Sequence, residues 1–201
     1  MKKFTKALAL VLTLALMIPS VAAFAAESPA KKNIKSATVT VDTKTYNGKA
    51  QAPKVTVKVG KKTLKKGVDY KVSAKKNMKD AGKYNITIKG IGNYTGSKTV
   101  KWTIKAANQS LKVTVGKKAF TKKTITKKSL KKKAQTIKLT VKGNKGKVTY
   151  KSSNAKVVKV DKNGKITVVK NAKAGTYKVT ITAAAAKNYN KTTKTVKITV
   201  K

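Results

Sequence analysis

The sequence contains no cysteine, no histidine and no arginine, and only five of its 201 residues are acidic. Without cysteine the chain can form no disulfide, so its stability must come from burial. Without histidine and cysteine it lacks the most common general base, the thiol nucleophile and the soft metal ligands. Without arginine it lacks the bidentate fork that recognises guanine, which argues against sequence-specific nucleic-acid binding.

The few acidic residues also argue against catalysis. Asp69 and Asp80 are the nearest pair within one predicted domain, and each stands close to a glycine in a stretch typical of a turn. Paired carboxylates for glycoside cleavage, or the several oxygen ligands of a calcium site, are hard to assemble from so few acids. We therefore expect no enzymatic activity, no metal and no cofactor.

The first 25 residues have the pattern of an export signal. A lysine-containing start is followed by an apolar run over residues 7–18 and by the small-residue cleavage pattern Ala23-Phe24-Ala25. This run is shorter than the roughly 20 residues of a membrane span. We expect a cleaved signal peptide over 1–25, a short linker over 26–33, and a secreted mature protein with no integral membrane span.

Lysine supplies all of the positive charge. Removal of the predicted signal leaves 47 lysines and five acidic residues, a formal charge of 47 − 5 = +42. No sorting motif follows the last predicted strand, so we expect any attachment to a cell wall to be noncovalent.

The apolar residues alternate with polar ones, mostly threonine and lysine, at the period of a β-strand with one buried face. Glycine and asparagine mark reversals between the runs, as in Asn47-Gly48 and Asn163-Gly164. Many short strands at this spacing predict an all-β protein made of β-sandwiches. The clearest alternating runs are 39–41, 55–59, 86–88, 102–104, 113–115, 179–181 and 198–200.

A repeat divides the chain in two. The segment from Gly82 to Lys105 has an echo 93 to 96 residues later, from Gly175 to Lys201, and each copy contains an Asn-Tyr pair between two strands. We expect each copy to be the closing hairpin of a domain. The predicted domains are 34–106 and 107–201, two tandem Ig-like β-sandwiches.

Both halves contain distinctive motifs. They are residues 45–53, Leu64, 67–70 and 92–96 in the first half, and 148–154, Val157, Val160, 163–166 and 174–177 in the second. On these residues the first half is similar to Ig-like repeats of Gram-positive gut bacterial surface proteins, and the second resembles the bacterial Ig-like group 2 domain. The resemblance implies an Ig-like fold used as a stalk, spacer or adhesive unit.

The lysines suggest a surface for polyanions. The densest stretch is 117–133, in which we expect Phe120, Ile125 and Leu130 to anchor an exposed hairpin or edge strand to the core. A lesser cluster lies at 61–66. The candidate polyanion-binding residues are Lys117, Lys118, Lys122, Lys123, Lys127, Lys128, Lys131, Lys132, Lys133, Lys61, Lys62, Lys65 and Lys66.

The tyrosines and the tryptophan could stack on sugars or bases, but their positions favour structural roles. Tyr84, Trp102 and Tyr177 fit the inward phase of strands, and Tyr94 and Tyr189 recur at the corner of each closing hairpin.

Two functions fit these features. In the first, an exported Ig-like binding protein associates electrostatically with anionic cell-surface or matrix polymers such as teichoic acid, acidic glycans or extracellular DNA. In the second, the chain is a structural spacer or assembly subunit whose lysines give solubility and protect sheet edges. A membrane-active role is less favoured, since no amphipathic helix is predicted.

Overall fold

The described part of the chain is nearly all β-structure. A computed structural model describes residues 30–201, so the predicted signal peptide lies outside the described residues. The first-half strands are β1 (Lys32–Asn33), β2 (Thr38–Val41), β3 (Thr43–Thr45), β4 (Val55–Val59), β5 (Lys62–Thr63), β6 (Tyr70–Ala74), β7 (Gly82–Gly90), β8 (Tyr94–Thr95) and β9 (Ser97–Lys105). A 3-10 helix, Ile34–Ser36, follows β1.

The second half repeats this design with one added α-helix. Its strands are β10 (Lys112–Val115), β11 (Lys118–Ala119), β12 (Lys122–Ile125), β13 (Gln135–Lys138), β14 (Thr140–Lys142), β15 (Val148–Ser152), β16 (Val158–Val160), β17 (Lys165–Val168), β18 (Gly175–Ala183) and β19 (Thr192–Val200), with α1 (Lys127–Lys132) after β12.

Each half has its own hydrophobic core. In the first, a four-stranded sheet of order β3-β9-β7-β6 and a three-stranded sheet of order β2-β4-β5 both contribute to a core around Trp102, Ile86 and Val57. In the second, a sheet of order β12-β19-β18-β15 and the sheets β13-β17-β16 and β11-β10-β14 share a core around Ile198 and Leu130. The all-β fold predicted from the alternation is confirmed, with a sandwich of sheets around a separate core in each half.

The internal repeat corresponds to two equivalent hairpins. Strands β7 and β9 pair antiparallel from Gly82 opposite Ile104, and β18 and β19 pair from Gly175 opposite Val200. All four strands are nine residues long. Because side chains alternate between the faces of a strand, the Ile and Val positions face the core and the Thr and Lys positions face solvent.

Two features differ from simple expectation. Lys32–Asn33, within the predicted linker, pair in parallel with β8. The stretch expected to be an exposed hairpin or edge also contains the six-residue helix α1, which begins at the N-cap residue Thr126. In the described residues, no helix has the length and apolar character needed to cross a membrane.

Candidate polyanion-binding surface

All thirteen candidate lysines are exposed, and they belong to two separate stretches. Nine lie in the second sandwich, from the turn that follows β10 to Lys133, the C-cap residue of α1. Four lie in the first sandwich, on the β4–β5 turn, on β5 and on the loop that follows. Their exposure is a condition for binding an anionic polymer, and the binding role itself stays a prediction.

The nine-lysine stretch is held by three buried side chains. Phe120, Ile125 and Leu130 are all buried in the core of the second sandwich, as predicted. Before Phe120, β10 and β11 form a hairpin. After it, β12 is the edge strand of the four-stranded sheet, where it pairs in parallel with β19. The lysines of this stretch therefore project from a hairpin, an edge strand and a short helix attached to a packed core.

The helix was missed because its sequence carries little helical pattern. It contains four lysines and one buried apolar residue, Leu130. Its start is fixed locally: the Thr126 hydroxyl oxygen accepts the Ser129 N–H at 3.3 Å, as an N-cap does. The one signal available in the sequence was this threonine before a run of good helix formers.

A shallow groove lies beside the edge strand. It has a volume of about 430 Å³, and its apolar lining residues include Phe120, Ile137 and Val115. Lysines from three strands line it: Lys118 on β11, Lys122 and Lys123 on β12, and Lys138 on β13. A second depression of about 260 Å³ lies next to Lys127 and Lys131 of α1.

The ammonium groups of the candidate lysines form no ion pairs within the described residues. The two ion pairs found there join Lys44 to Asp42 at 2.9 Å and Lys187 to Asp80 at 2.7 Å, and neither contains a candidate lysine. Unneutralised ammonium groups on a folded surface attract mobile anions and anionic polymers.

The first-sandwich cluster surrounds a tight turn. The Asp69 carboxylate accepts the Lys65 N–H at 2.8 Å and closes the loop, so Asp69 is the turn residue that the sequence predicted. The Lys62 ammonium lies 5.7 Å from the centroid of the Tyr94 ring, within cation–π range. Val68 at the tip of the turn is 64% exposed, so this cluster combines charge with one exposed apolar side chain.

The aromatic side chains mostly have structural roles. Trp102 is fully buried, and Tyr94 is buried as well. Tyr84 and Tyr177 are half-buried and pack against the two cores. Burial of these rings leaves little aromatic surface for stacking on sugars or bases.

The carboxylates are used to hold the structure. Partial burial acts to raise the pKa of Asp42, but hydrogen bonds from Lys44, the Lys54 N–H and Trp102 outweigh it and hold that pKa below its ordinary value. Hydrogen bonds from the N–H groups of Lys165 and Asn163 lower the pKa of Asp161. In the described part of the chain, no three acidic residues come together as a metal site.

The sequence did not predict the contacts between the two sandwiches. The buried Asn188 side chain accepts the Ala81 N–H at 2.8 Å and donates to the Asp80 carboxylate at 2.9 Å. The same carboxylate binds Lys187, and hydrogen bonds from Lys187 and Asn188 lower the pKa of Asp80. The rings of Tyr46 and Tyr189 meet edge to face, with centroids 5.4 Å apart.

Hydrogen bonds also fix the short connection between the sandwiches. The Ala107 N–H donates to the Asn188 carbonyl at 2.9 Å, and the Asn190 N–H donates to the Ala107 carbonyl at 2.8 Å. The buried Gln109 side chain donates to the carbonyls of Ala184 and Asn190. The connection is therefore built into the surface of the second sandwich.

No family model and no curated protein matches the chain. Among solved structures it is similar to a SusE-like surface-located polysaccharide-binding protein from the Bacteroides thetaiotaomicron heparin utilisation locus, at 11% identity and a TM-score of 0.33. That match covers 81% of this chain and 34% of the other.

Two further solved structures are similar at the same level. Drosophila N-cadherin EC1-4 matches at 15% identity and a TM-score of 0.34, covering 86% of this chain and 42% of the cadherin chain. A C-terminal fragment of intimin in complex with the intimin-binding domain of its translocated receptor matches at 17% identity and a TM-score of 0.32, covering 81% and 63%. The chain thus spans between a third and two thirds of these proteins.

Proposed function

We propose that this chain is an exported, non-enzymatic Ig-like protein that associates electrostatically with anionic polymers of a cell surface or matrix. The observation that carries the proposal is the exposure of all thirteen candidate lysines on two packed sandwiches. Within the described residues none of their ammonium groups forms an ion pair with a carboxylate. Their charge is therefore available to an external anion.

Such binding would be driven by the release of counterions from the polymer. Each phosphate neutralised by a lysine contributes a slope of about −0.7 to −0.9 to the logarithmic dependence of affinity on salt concentration. Lysine acts as a point charge and does not select a base or sugar by shape. Candidate polymers are teichoic acid, acidic glycans and, without sequence preference, extracellular DNA.

The proposed attachment is noncovalent and short-ranged. At physiological ionic strength the Debye length is about 8 Å, so the lysines act only on polymers that come close to the surface. The proposed mature charge of +42 spreads over both sandwiches. A wall polymer could therefore contact either cluster, or both.

The test is binding of the mature protein to purified cell walls, with and without teichoic acid, between about 50 and 500 mM salt. We expect retention at low salt that depends on teichoic acid and is lost as salt rises. A variant with Lys127, Lys128, Lys131 and Lys132 changed to glutamine should be released at lower salt. Retention that does not change with salt would contradict the proposal.

A structural spacer is the second candidate, and the contacts between the sandwiches favour it. Asn188, Asp80 and the Tyr46–Tyr189 pair join the two sandwiches side chain to side chain. A linked pair of this kind suits a stalk or an assembly subunit. Salt-independent self-association, measured by analytical ultracentrifugation, would favour this role over electrostatic attachment.

A further inference from the structure

Three lysines from distant parts of the sequence stand in one row across the second sandwich. Lys122 on β12 is paired with Lys197 on β19, and Lys197 is paired with Lys178 on β18. All three are exposed. Their chain neighbours Ile198 and Val179 are fully buried, so the lysines occupy the outward face of the four-stranded sheet.

The row is compact because adjacent strands lie about 4.8 Å apart. Three strands therefore place three ammonium-bearing residues along a line about 10 Å long at the backbone. Like charges directly opposite each other on a sheet destabilise it. In the described strands, the other directly opposed lysines come in pairs: Lys71 with Lys89, Lys112 with Lys142, and Lys138 with Lys165.

No described carboxylate relieves this repulsion. Asp161, the one aspartate of the second sandwich in the described residues, accepts the N–H groups of Asn163 and Lys165 in the β16–β17 turn. Asp42, Asp69 and Asp80 belong to the first sandwich. Repulsion between neighbouring side chains that the rest of the fold does not offset is expected mainly at functional positions.

Threonines lie on one side of the lysine row. The adjacent outward row consists of Thr124, Thr199 and Thr176, and the hydroxyl oxygens of Thr176 and Thr199 are 3.2 Å apart. Hydroxyl groups can donate to phosphate or sulfate oxygens alongside charged donors. The face thus offers a line of point charges bordered by neutral donors.

We propose that the row of Lys122, Lys197 and Lys178 binds a linear polyanion, with phosphate or sulfate groups, that runs across the strands. This inference rests on the proposed function and names the binding surface within it. A small anion would neutralise one lysine, whereas a polymer with closely spaced charges would neutralise all three at once. Bound in this way, the polymer would also remove the repulsion that destabilises the free sheet.

The test compares two charge deletions on the same sheet face. Lys197→Thr removes the centre of the row, whereas Lys151→Thr removes an exposed lysine that is paired with Thr180 and lies outside the row. The probe is a fluorescent inorganic polyphosphate in anisotropy titrations at about 50 mM salt, with orthophosphate as the monomeric comparator. Dextran sulfate provides a parallel arm that distinguishes sulfate from phosphate.

We expect Lys197→Thr to weaken polymer binding about tenfold, the loss of one good charge contact, and Lys151→Thr to weaken it less than about twofold. Orthophosphate should not compete at the same phosphate concentration. In buffer without polymer, the unfolding midpoint of Lys197→Thr should be higher than that of the unchanged protein, since its repulsion is relieved. Lys178→Thr should reproduce both effects.

Equal weakening of polymer binding by Lys197→Thr and Lys151→Thr would refute the proposal that the lysine row is the binding surface, because binding would then depend only on total charge. The proposed function would still stand. Failure of the unchanged protein to bind either polymer or cell walls would instead overturn the proposed function. If Lys197→Thr weakens binding more than Lys151→Thr does, with either polymer, the lysine row is supported as the binding surface. The polymer that shows the larger difference identifies the anionic group that the row prefers.

Discussion

Replacement of Asn188 by alanine should loosen the contact between the two sandwiches. The Asn188 side chain is 8% exposed and makes two hydrogen bonds to the first sandwich, one with the Ala81 N–H and one with the Asp80 carboxylate. Alanine removes both hydrogen bonds and leaves the Ala81 N–H, which is partly buried, without an acceptor.

Most of the expected loss in the free energy of unfolding comes from the Ala81 N–H. An N–H left without a partner costs about 1–3 kcal/mol when it is buried. The Asp80 side chain is 40% exposed and keeps its ion pair with Lys187, so water can replace the bond from Asn188. We therefore expect a loss of about 2 kcal/mol, which for a protein of this size lowers the unfolding midpoint by roughly 4–8 °C.

The matched control lies in the internal repeat. Asn93 occupies the position equivalent to Asn188, in the Asn-Tyr pair of the first closing hairpin, and its side chain is exposed. Thermal unfolding by circular dichroism measures stability, and residual dipolar couplings measure whether the sandwiches share one orientation. Asn188→Ala should lower the midpoint and allow independent orientation, and Asn93→Ala should do neither. Equal effects of the two substitutions would refute this account of the contact.

Three further outcomes are expected. Trp102→Ala should destabilise the first sandwich by about 3–5 kcal/mol in chemical denaturation, because it empties a fully buried site. The pKa values of Asp42, Asp80 and Asp161 are lowered in the folded state, so stability should be full above about pH 4 and fall as pH drops through the lowered values, measured by thermal unfolding at constant ionic strength. Added salt should raise the unfolding midpoint, because it screens the repulsion among the lysines, and a midpoint unchanged between about 20 and 300 mM would contradict that view.

The sequence predicted what depends on local alternation. Val179 and Ile181 alternate with threonine, and that period alone placed β18 in a sheet with one buried face. The turn at Asn163-Gly164 was equally visible: Gly164 has a φ of +75°, and its Cβ position would lie 2.8 Å from the Tyr150 ring, so only glycine suits it. Buried Phe120, Ile125 and Leu130 were predicted in the same way.

Contacts between distant residues were not predictable from these patterns. Asp80 and Asn188 are 108 residues apart, and nothing near either residue indicates the other. Asp80 was interpreted as a turn residue, which its neighbours support, but its carboxylate also joins the sandwiches. The row of Lys122, Lys197 and Lys178 depends on strand order and register, and a parallel edge strand such as β12 has no hairpin turn to set its register.

The distribution of lysine links stability to the proposed function. Because side chains alternate along a strand, lysines can fill the solvent face without entering the core, and the burial of Ile198 is unaffected by the charge of Lys197 beside it. The remaining cost is the repulsion between neighbouring lysines, which is greatest where the register brings them together. An anionic polymer that bridges such lysines would stabilise the folded protein through binding, so the unfolding midpoint should rise with polymer concentration and this rise should shrink when Lys197 is removed.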